Sequence, residues 1–153
     1  MSNNKLFFVC PFSNLETFFR NHYGDEVYFA TSMGGIFLYN DKNSLNYFNE
    51  FINRRNIKEI ILVVDTSCRF LNNVLKQRKD LYTYAEKIIE SILLFNSHLI
   101  DNQATLTRKQ QKLAALVIDH EIDKLLKIPM FANLREDRKI AIKGLLLCRI
   151  PIA

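Results

Sequence analysis

Three side chains that can bind a metal ion follow short apolar runs in this 153-residue sequence. Cys10 ends the run over 6–10, and Asp65 and Cys68 follow the run over 59–64. Thiolate and carboxylate groups are both zinc ligands, and a tetrahedral site needs four donors. The sequence offers three of them, so a fourth donor would be water or a group that the sequence does not identify.

The same residues also fit a purely structural role. A free cysteine is among the residue types most often buried, and Asp65-Thr66-Ser67 is typical of the start of a helix. A D-x-x-C spacing does not choose between a metal site and two buried thiols beside a helix cap. Both interpretations stay open at this point. Cys148 lies in an apolar stretch and is predicted to belong to the core.

Cys10 and Cys68 can meet only if the strands that carry them lie side by side. Continuous apolar runs predict strands over 6–10, 27–30 and 59–64, and I-I-L-V-V in the third run indicates burial on both faces. Helical spacing follows each run, first after Pro11 and then after Ser44, which is predicted to be an N-cap.

This alternation predicts an α/β fold with a mostly parallel central sheet of about four to five strands flanked by helices. The carboxyl ends of parallel strands meet at one edge of the sheet, where sites form. We therefore expect Cys10, the Gly34-Gly35 turn, Asp65 and Cys68 at that edge.

The second half of the chain is predicted to be mainly helical. Tyr84, Ile88, Ile92 and Phe95 have the spacing of one apolar helix face. The predicted elements are, in order, a helix over 81–99, a loop over 101–107, a helix from a Thr107 cap to just before Pro129, a short helix over 130–135 and a last strand within 139–150.

Composition favours one globular domain spanning 1–153, with 48% hydrophobic and 24% charged residues. The net charge is +5, but the densest basic run, R-E-D-R-K over 135–139, is internally neutralised. We therefore expect no specific nucleic-acid binding, while a small anion or another ligand stays open. Three cysteines without a disulfide pattern, no signal peptide and no membrane-length apolar run predict a cytoplasmic protein.

Six short motifs occur in a fixed order along most of the chain. They are C-P-F-S-N over 10–14, T-S-M-G-G over 31–35, S-L-N-Y-F over 44–48, D-T-S-C over 65–68, H-E-I-D-K-L-L-K-I-P over 120–129 and K-I-A-I-K-G over 139–144. This ordered set resembles the β-carbonic anhydrases, which carry C-x-D-S-R, an R-N-A-G-N-like turn, S-L-E-Y-A and H-x-x-C at the first four places. The last two motifs are similar to that family's late helix and strand.

The resemblance implies a zinc site and a homodimer with the site near the subunit interface. Cys10 and Cys68 stand where the family has its zinc-binding cysteines, and Asp65 stands where it has a zinc-binding histidine. The family's Asp/Arg pair, which orients the zinc-bound water, falls on Phe12 and Asn14. Phe12 cannot accept a proton, and Asn14 cannot form the bidentate ion pair of an arginine.

These departures predict a protein that hydrates CO₂ poorly. Two thiolates and an aspartate would place three negative charges on Zn²⁺, which opposes the ionisation of bound water on which metal-assisted hydration depends. We therefore expect a binding or structural module with residual zinc on Cys10, Asp65 and Cys68. The alternative is a weak zinc lyase, or altered chemistry in the same pocket. A set of aromatic residues is assigned mainly to the core and otherwise to a dimer interface, namely Phe18, Phe19, Phe37, Tyr39, Tyr47 and Phe48.

Overall fold

The computed structural model describes residues 3–39, 41–78 and 83–148. Within these ranges the chain alternates between strands and helices, as predicted. The elements in chain order are β1 (Lys5–Val9), a 3-10 turn (Pro11–Ser13), α1 (Glu16–Tyr23), β2 (Val27–Thr31), a second 3-10 turn (Met33–Gly35), α2 (Lys42–Arg54), β3 (Glu59–Asp65), α3 (Arg69–Leu75), α4 (Tyr84–Phe95), α5 (Ser97–Asp101), α6 (Leu106–Leu126), α7 (Pro129–Asp137) and β4 (Ala141–Leu147).

The four strands form one parallel sheet in the order β2-β1-β3-β4. In the register of this sheet, Phe7 of β1 lies beside Phe29 of β2 and Ile61 of β3. The central strands β1 and β3 are almost entirely buried because each has an apolar side chain on both faces of the sheet. The predicted α/β architecture is confirmed, with four strands in the described part of the chain.

Helices cover the two faces of the sheet unequally. On one face the side chains of β1 and β3 pack against α2, α6 and α7, through Leu6, Phe8, Ile60 and Leu62. On the other face the alternate side chains of the same strands pack against α1, through Phe7, Val9, Ile61 and Val63. Phe7 stacks on Phe19 of α1 with ring centroids 4.1 Å apart. Strand residues pointing to opposite faces thus explain why two separate cores share one sheet.

A third core lies at the carboxyl end of the sheet. It joins α3, α4, α5 and α6 to Ile36, Val64, Cys10 and Cys68. Because both cysteines belong to this cluster, the helices of the second half of the chain hold the sulfur atoms in place. None of the helices in the described ranges is both long enough and apolar enough to span a bilayer.

The helix predicted over 81–99 is two helices in the structure, and residues 81–82 lie outside the described ranges. The α4 helix ends at Phe95, and α5 begins at Ser97. The buried face of α4 is made of Ala85, Glu86, Ile89 and Ile92, while Tyr84 and Phe95 are exposed. The predicted apolar face was therefore wrong by about one residue, because Ile88 and Ile89 fit two neighbouring stripes equally well.

Three further boundaries differ from the prediction. Asp41 and not Ser44 is the N-cap of α2, and its carboxylate accepts the backbone N–H of Asn43. Thr105 and not Thr107 caps α6. The helix expected directly after Pro11 begins only at Glu16, because a 3-10 turn comes first and Asn14 has a left-handed φ of 51°.

Cys148 was predicted to be buried but is exposed at the end of β4. Its thiol accepts a hydrogen bond from the side chain of Gln111 at 3.6 Å. The apolar stretch around it belongs to an edge strand, which has a neighbour on one side only among the described residues. The part of the predicted last strand over 149–150 lies outside the described ranges.

Candidate functional site

The carboxyl ends of β1 and β3 bring Cys10 and Cys68 together. Cys10 follows β1 directly, and Cys68 is the residue before α3. Each is 6% exposed, and both belong to one packed cluster at this edge of the sheet. Both line a cavity of about 100 Å³ whose other walls are Phe12, Ser13, Ser67 and Arg69. The predicted meeting of the two cysteines at this edge is what the structure shows.

A glycine turn supplies a hydrogen bond to Cys10. The backbone N–H of Gly34 donates to Cys10 Sγ at 3.2 Å. Gly34 has a left-handed φ of 67°, and a Cβ at this position would lie 3.0 Å from Cβ of Ala85. Glycine is therefore needed here both for the backbone conformation and for the close approach of α4.

These hydrogen bonds give the two thiols opposite acidities. The hydrogen bond from Cys68 lowers the pKa of Cys10 to about 6, and hydrogen bonds from the backbone at Phe12 and Gly34 and from the Ser13 side chain act in the same direction against burial. The same contact with Cys10, together with burial, raises the pKa of Cys68. The surroundings of the pair therefore favour the negative charge on Cys10 over Cys68 and the proton on Cys68 over Cys10.

Asp65 ends β3 and organises the turn that leads to α3. Its side chain is buried, with 2% of the residue exposed, and its Oδ1 accepts the backbone N–H and the hydroxyl of Ser67, each at 2.8 Å. Asn72 closes the same turn by donating to the carbonyl oxygens of Thr66 and Cys68, each at 2.9 Å. Asp65 therefore stabilises the turn before α3, while the N-cap position of that helix is Cys68, without a side-chain cap hydrogen bond.

A zinc ion needs more donors than the two sulfurs provide. Within the described ranges, no group of three or more His, Cys, Asp or Glu side chains is arranged to hold a metal ion. A catalytic zinc site uses three protein ligands, so the contacts seen here supply a sulfur pair but not the rest of such a site. The assignment of Cys10, Asp65 and Cys68 as a ligand set stays a prediction.

An aromatic ring and a guanidinium group form the rim of the thiol cavity. Phe12 is 55% exposed, and its ring centroid lies 5.7 Å from that of Phe70. The guanidinium carbon of Arg69 lies 5.5 Å from the centroid of Phe12. Phe12 therefore presents a hydrocarbon face where a carboxylate is expected from the resemblance, and Arg69 covers that face in a cation–π contact.

A buried carboxylate on α6 supports the segment that follows the glycine turn. Glu121 is 1% exposed and accepts the backbone N–H of Phe37 at 2.9 Å. Its other oxygen contacts Nζ of Lys124 at 2.6 Å and Nδ1 of His120 at 3.2 Å. Sequence reasoning did not single out Glu121. The available signal was its position in the row Leu113, Val117, Glu121 and Leu125, where a charged residue interrupts apolar residues spaced by four.

A larger cavity of about 440 Å³ lies apart from the thiols, between β2 and α2. Three of the aromatic residues assigned to core or interface line it, Phe37, Tyr47 and Phe48. Of the same set, Phe19 and Phe37 are buried while Phe18 and Tyr47 are exposed. The sequence did not predict this cavity. Its walls come from a strand and a helix, and no sequence motif indicated that the two enclose a space.

Comparisons with known proteins agree with this geometry. No protein-family profile matches the sequence, and no curated protein does. Among solved structures, a tetrameric β-carbonic anhydrase of Sordaria macrospora superposes with a TM-score of 0.80 at 14% identity, covering 97% of this chain and 77% of its own. The β-carbonic anhydrase CafD of Aspergillus fumigatus gives 0.78 at 15% identity, covering 97% and 85%. A Coccomyxa β-carbonic anhydrase in complex with acetazolamide gives 0.72 at 13% identity, covering 97% and 68%. The chain therefore has the fold of the β-carbonic anhydrases.

Proposed function

We propose that this chain is a carbonic-anhydrase-like protein without efficient CO₂ hydration, which acts as a binding or structural module. The observation that carries the proposal is the position of Phe12, whose exposed ring lies against Phe70 and Arg69 at the rim of the thiol cavity. The resemblance places the family's water-orienting carboxylate at Phe12 and its arginine partner at Asn14. Neither side chain can orient a proton on bound water as that pair does.

The chemistry at Asp65 supports the same conclusion. When bound, a zinc ion supplies an ionised water at neutral pH. A carboxylate at the third ligand position would add a negative charge to that of the sulfur pair, which disfavours such ionisation. In addition, Oδ1 of Asp65 is shared by two hydrogen bonds from Ser67, which hold this carboxylate in the turn.

Residual zinc binding belongs to this proposal, and a weak zinc lyase or altered chemistry in the same pocket is the alternative; the shared cavity of Cys10 and Cys68 favours retained zinc in either case. Two adjacent sulfurs at the end of parallel strands are competent donors. The zinc content of protein purified without chelators tests this part. Zinc that is near-stoichiometric, and that is lost in Cys10→Ser and Cys68→Ser but kept in Cys148→Ser, establishes a retained site. Cys148 is a suitable control because it is exposed and does not line the thiol cavity.

Stopped-flow CO₂ hydration by zinc-supplemented protein tests the main proposal. We expect no turnover above the buffer rate for the natural sequence. A variant that restores the family's residues, Phe12→Asp with Asn14→Arg and Asp65→His, provides the comparison, and a gain of activity there would identify the changed residues as the cause. Turnover by the natural sequence at the rate of an active enzyme would overturn the proposal.

We also propose that the chain forms a homodimer in the reducing cytoplasm. Large apolar side chains are exposed in the first third of the chain, and these are Phe12, Phe18, Tyr23, Met33, Leu38 and Tyr47. Such surface is commonly buried between subunits. Light scattering on eluting protein measures the mass, and Phe18→Ser with Tyr47→Ser is expected to shift it toward the monomer.

The cytoplasmic assignment is supported by the thiol state of all three cysteines.

A further inference from the structure

Cys10 and Cys68 form a pair of buried sulfurs that share one small cavity and one packed cluster. We propose that this pair is a dithiol site that reduces a small hydroperoxide and closes reversibly to a Cys10–Cys68 disulfide. This inference goes beyond the proposed function, since it requires neither zinc nor CO₂ chemistry. It assigns the pair a reaction that the neighbouring residues can support.

The first support is the placement of the sulfurs. Two cysteines can be bridged only when their side chains point at each other over a short distance. Cys10 and Cys68 line the same small cavity and belong to the same packed cluster, so their side chains face a common space. Cys10 lies at the end of a central strand, and Cys68 lies in the turn before α3.

The second support is the cavity beside the sulfurs. Its volume of about 100 Å³ exceeds the share of one water molecule in the liquid, about 30 Å³, so hydrogen peroxide fits. Three of its wall residues, Phe12, Ser67 and Arg69, are exposed, which places the cavity at the surface. Hydroxyl and guanidinium groups in the same wall can donate hydrogen bonds to the peroxide oxygens.

The reaction balances without any group beyond the peroxide and the two thiols. The Cys10 sulfur attacks one peroxide oxygen, the O–O bond breaks, and the leaving oxygen departs as water or an alcohol with the thiol proton. Cys10 is then a sulfenic acid. The Cys68 sulfur attacks it, the S–S bond forms, and the hydroxyl leaves as water with the Cys68 proton. A soluble dithiol reduces the disulfide again by exchange.

Cys10 is assigned as the attacking sulfur because of its hydrogen bonds. The N–H of Gly34 points at its Sγ at 3.2 Å, which favours the charge that the sulfur carries in the attack. Cys10 also borders a second cavity of about 290 Å³ at the start of α1, whereas Cys68 borders only the first among the cavities described.

The test is peptide mapping and free-thiol counting after a brief exposure of the purified full chain to stoichiometric hydrogen peroxide. We expect the loss of two thiols, an intramolecular peptide pair joining Cys10 to Cys68, and full recovery with dithiothreitol. Cys148→Ser is the matched control and is expected to form the same pair, since its sulfur lies outside the cavity. Cys68→Ser is expected to stop at a sulfenic acid on Cys10 that dimedone traps, and Cys10→Ser to leave Cys68 unmodified.

Three outcomes would overturn the proposal. These are oxidation of Cys148 with both buried thiols intact, a disulfide only between chains, or sulfenic acid on Cys68 in the Cys10→Ser variant. Circular dichroism of each variant shows whether it is folded, and only folded variants are compared. The reaction is run with and without added zinc, and failure in the zinc-free protein counts against the dithiol site. CO₂ hydration is measured separately, so the proposed function and this inference succeed or fail independently.

Discussion

The two ends of the sheet hold their charged groups in different ways. At the amino end, the carboxylate of Glu59 on β3 lies between Lys5 of β1 and Lys143 of β4, with Lys143 Nζ 2.6 Å from Oε1. At the carboxyl end, Cys10 Sγ and Asp65 Oδ1 instead accept backbone N–H groups, from Gly34 and Ser67. One end uses opposite charges on neighbouring strands, and the other uses the turns that follow the strands.

The carboxyl end of the sheet depends more on precise local geometry than the amino end does. The ion pairs of Glu59 involve flexible lysine side chains, and the side chain of Lys143 is 54% exposed, so water screens its pair. The donors at the carboxyl end are backbone groups whose directions are fixed by a glycine turn and by buried contacts such as that of Glu121. Substitutions should therefore cost more at the carboxyl end than at the amino end.

The largest effect is expected from Glu121→Ala. This change leaves the buried N–H of Phe37 without its acceptor, which costs about 2–3 kcal/mol of unfolding free energy. Urea denaturation measures the loss. Glu121→Gln is the matched control, because its amide oxygen can still accept from Phe37 while the contact with Lys124 is weakened. Equal stability of the natural protein and Glu121→Ala would show that the carboxyl end of the sheet does not depend on the buried carboxylate.

A smaller effect is expected from Gly34→Ala. The left-handed φ of 67° and the 3.0 Å approach to Ala85 together should cost about 1–2 kcal/mol. Gly35→Ala is the control, since Gly35 also has a positive φ, of 73°, but its added Cβ would meet only Val63 O at 3.4 Å. The difference between the two variants in urea denaturation isolates the contact with α4, and an identical loss for both would remove that contact from the explanation.

The sequence predicted the strands and the meeting of the cysteines because both depend on strong local signals. The run I-I-L-V-V over 60–64 can be buried on both faces only in a central strand. Cys10 follows β1 directly, and Cys68 lies in the turn after β3. The fold followed from the order of these runs and from the resemblance carried by the six motifs, which the superpositions with β-carbonic anhydrases bear out.

The details that the sequence missed depend on contacts between distant segments. Asp41 is the cap of α2 and Ser44 donates to it, a choice between two good capping residues that the local sequence leaves open. The role of Glu121 requires Phe37, which is 84 residues away in the chain. Asp65 fitted both a ligand and a helix cap in sequence, whereas in the structure its carboxylate accepts from Ser67 in the turn before α3, whose N-cap is Cys68.

At the amino end, Glu59→Gln should reduce stability by only about 0.5–1 kcal/mol at neutral pH, the range of partly exposed ion pairs. The glutamine keeps the size of the side chain and one acceptor oxygen, but it loses the charge and the second acceptor. Thermal or urea unfolding in low salt measures the change, and added salt should shrink it. A loss as large as that of Glu121→Ala would reverse the ranking of the two ends.

The pH dependence of this pair gives the smallest and most specific effect. The hydrogen bond from Lys143, and then that from Lys5, lowers the pKa of Glu59 in the folded protein below its usual value of 4.5. Its contribution to stability is therefore fully present above pH 4.5 and is lost as the pH falls through the lowered folded pKa.

Once Glu59 is protonated it resembles glutamine in charge, so the stability difference between the natural protein and Glu59→Gln should vanish in acid. Urea unfolding of both proteins at neutral pH and below pH 4.5 checks this. A difference that stays constant across that range would mean that packing and not charge holds the amino end. The two ends of the sheet would then differ in the packing of their side chains, and not in the way in which they stabilise charge.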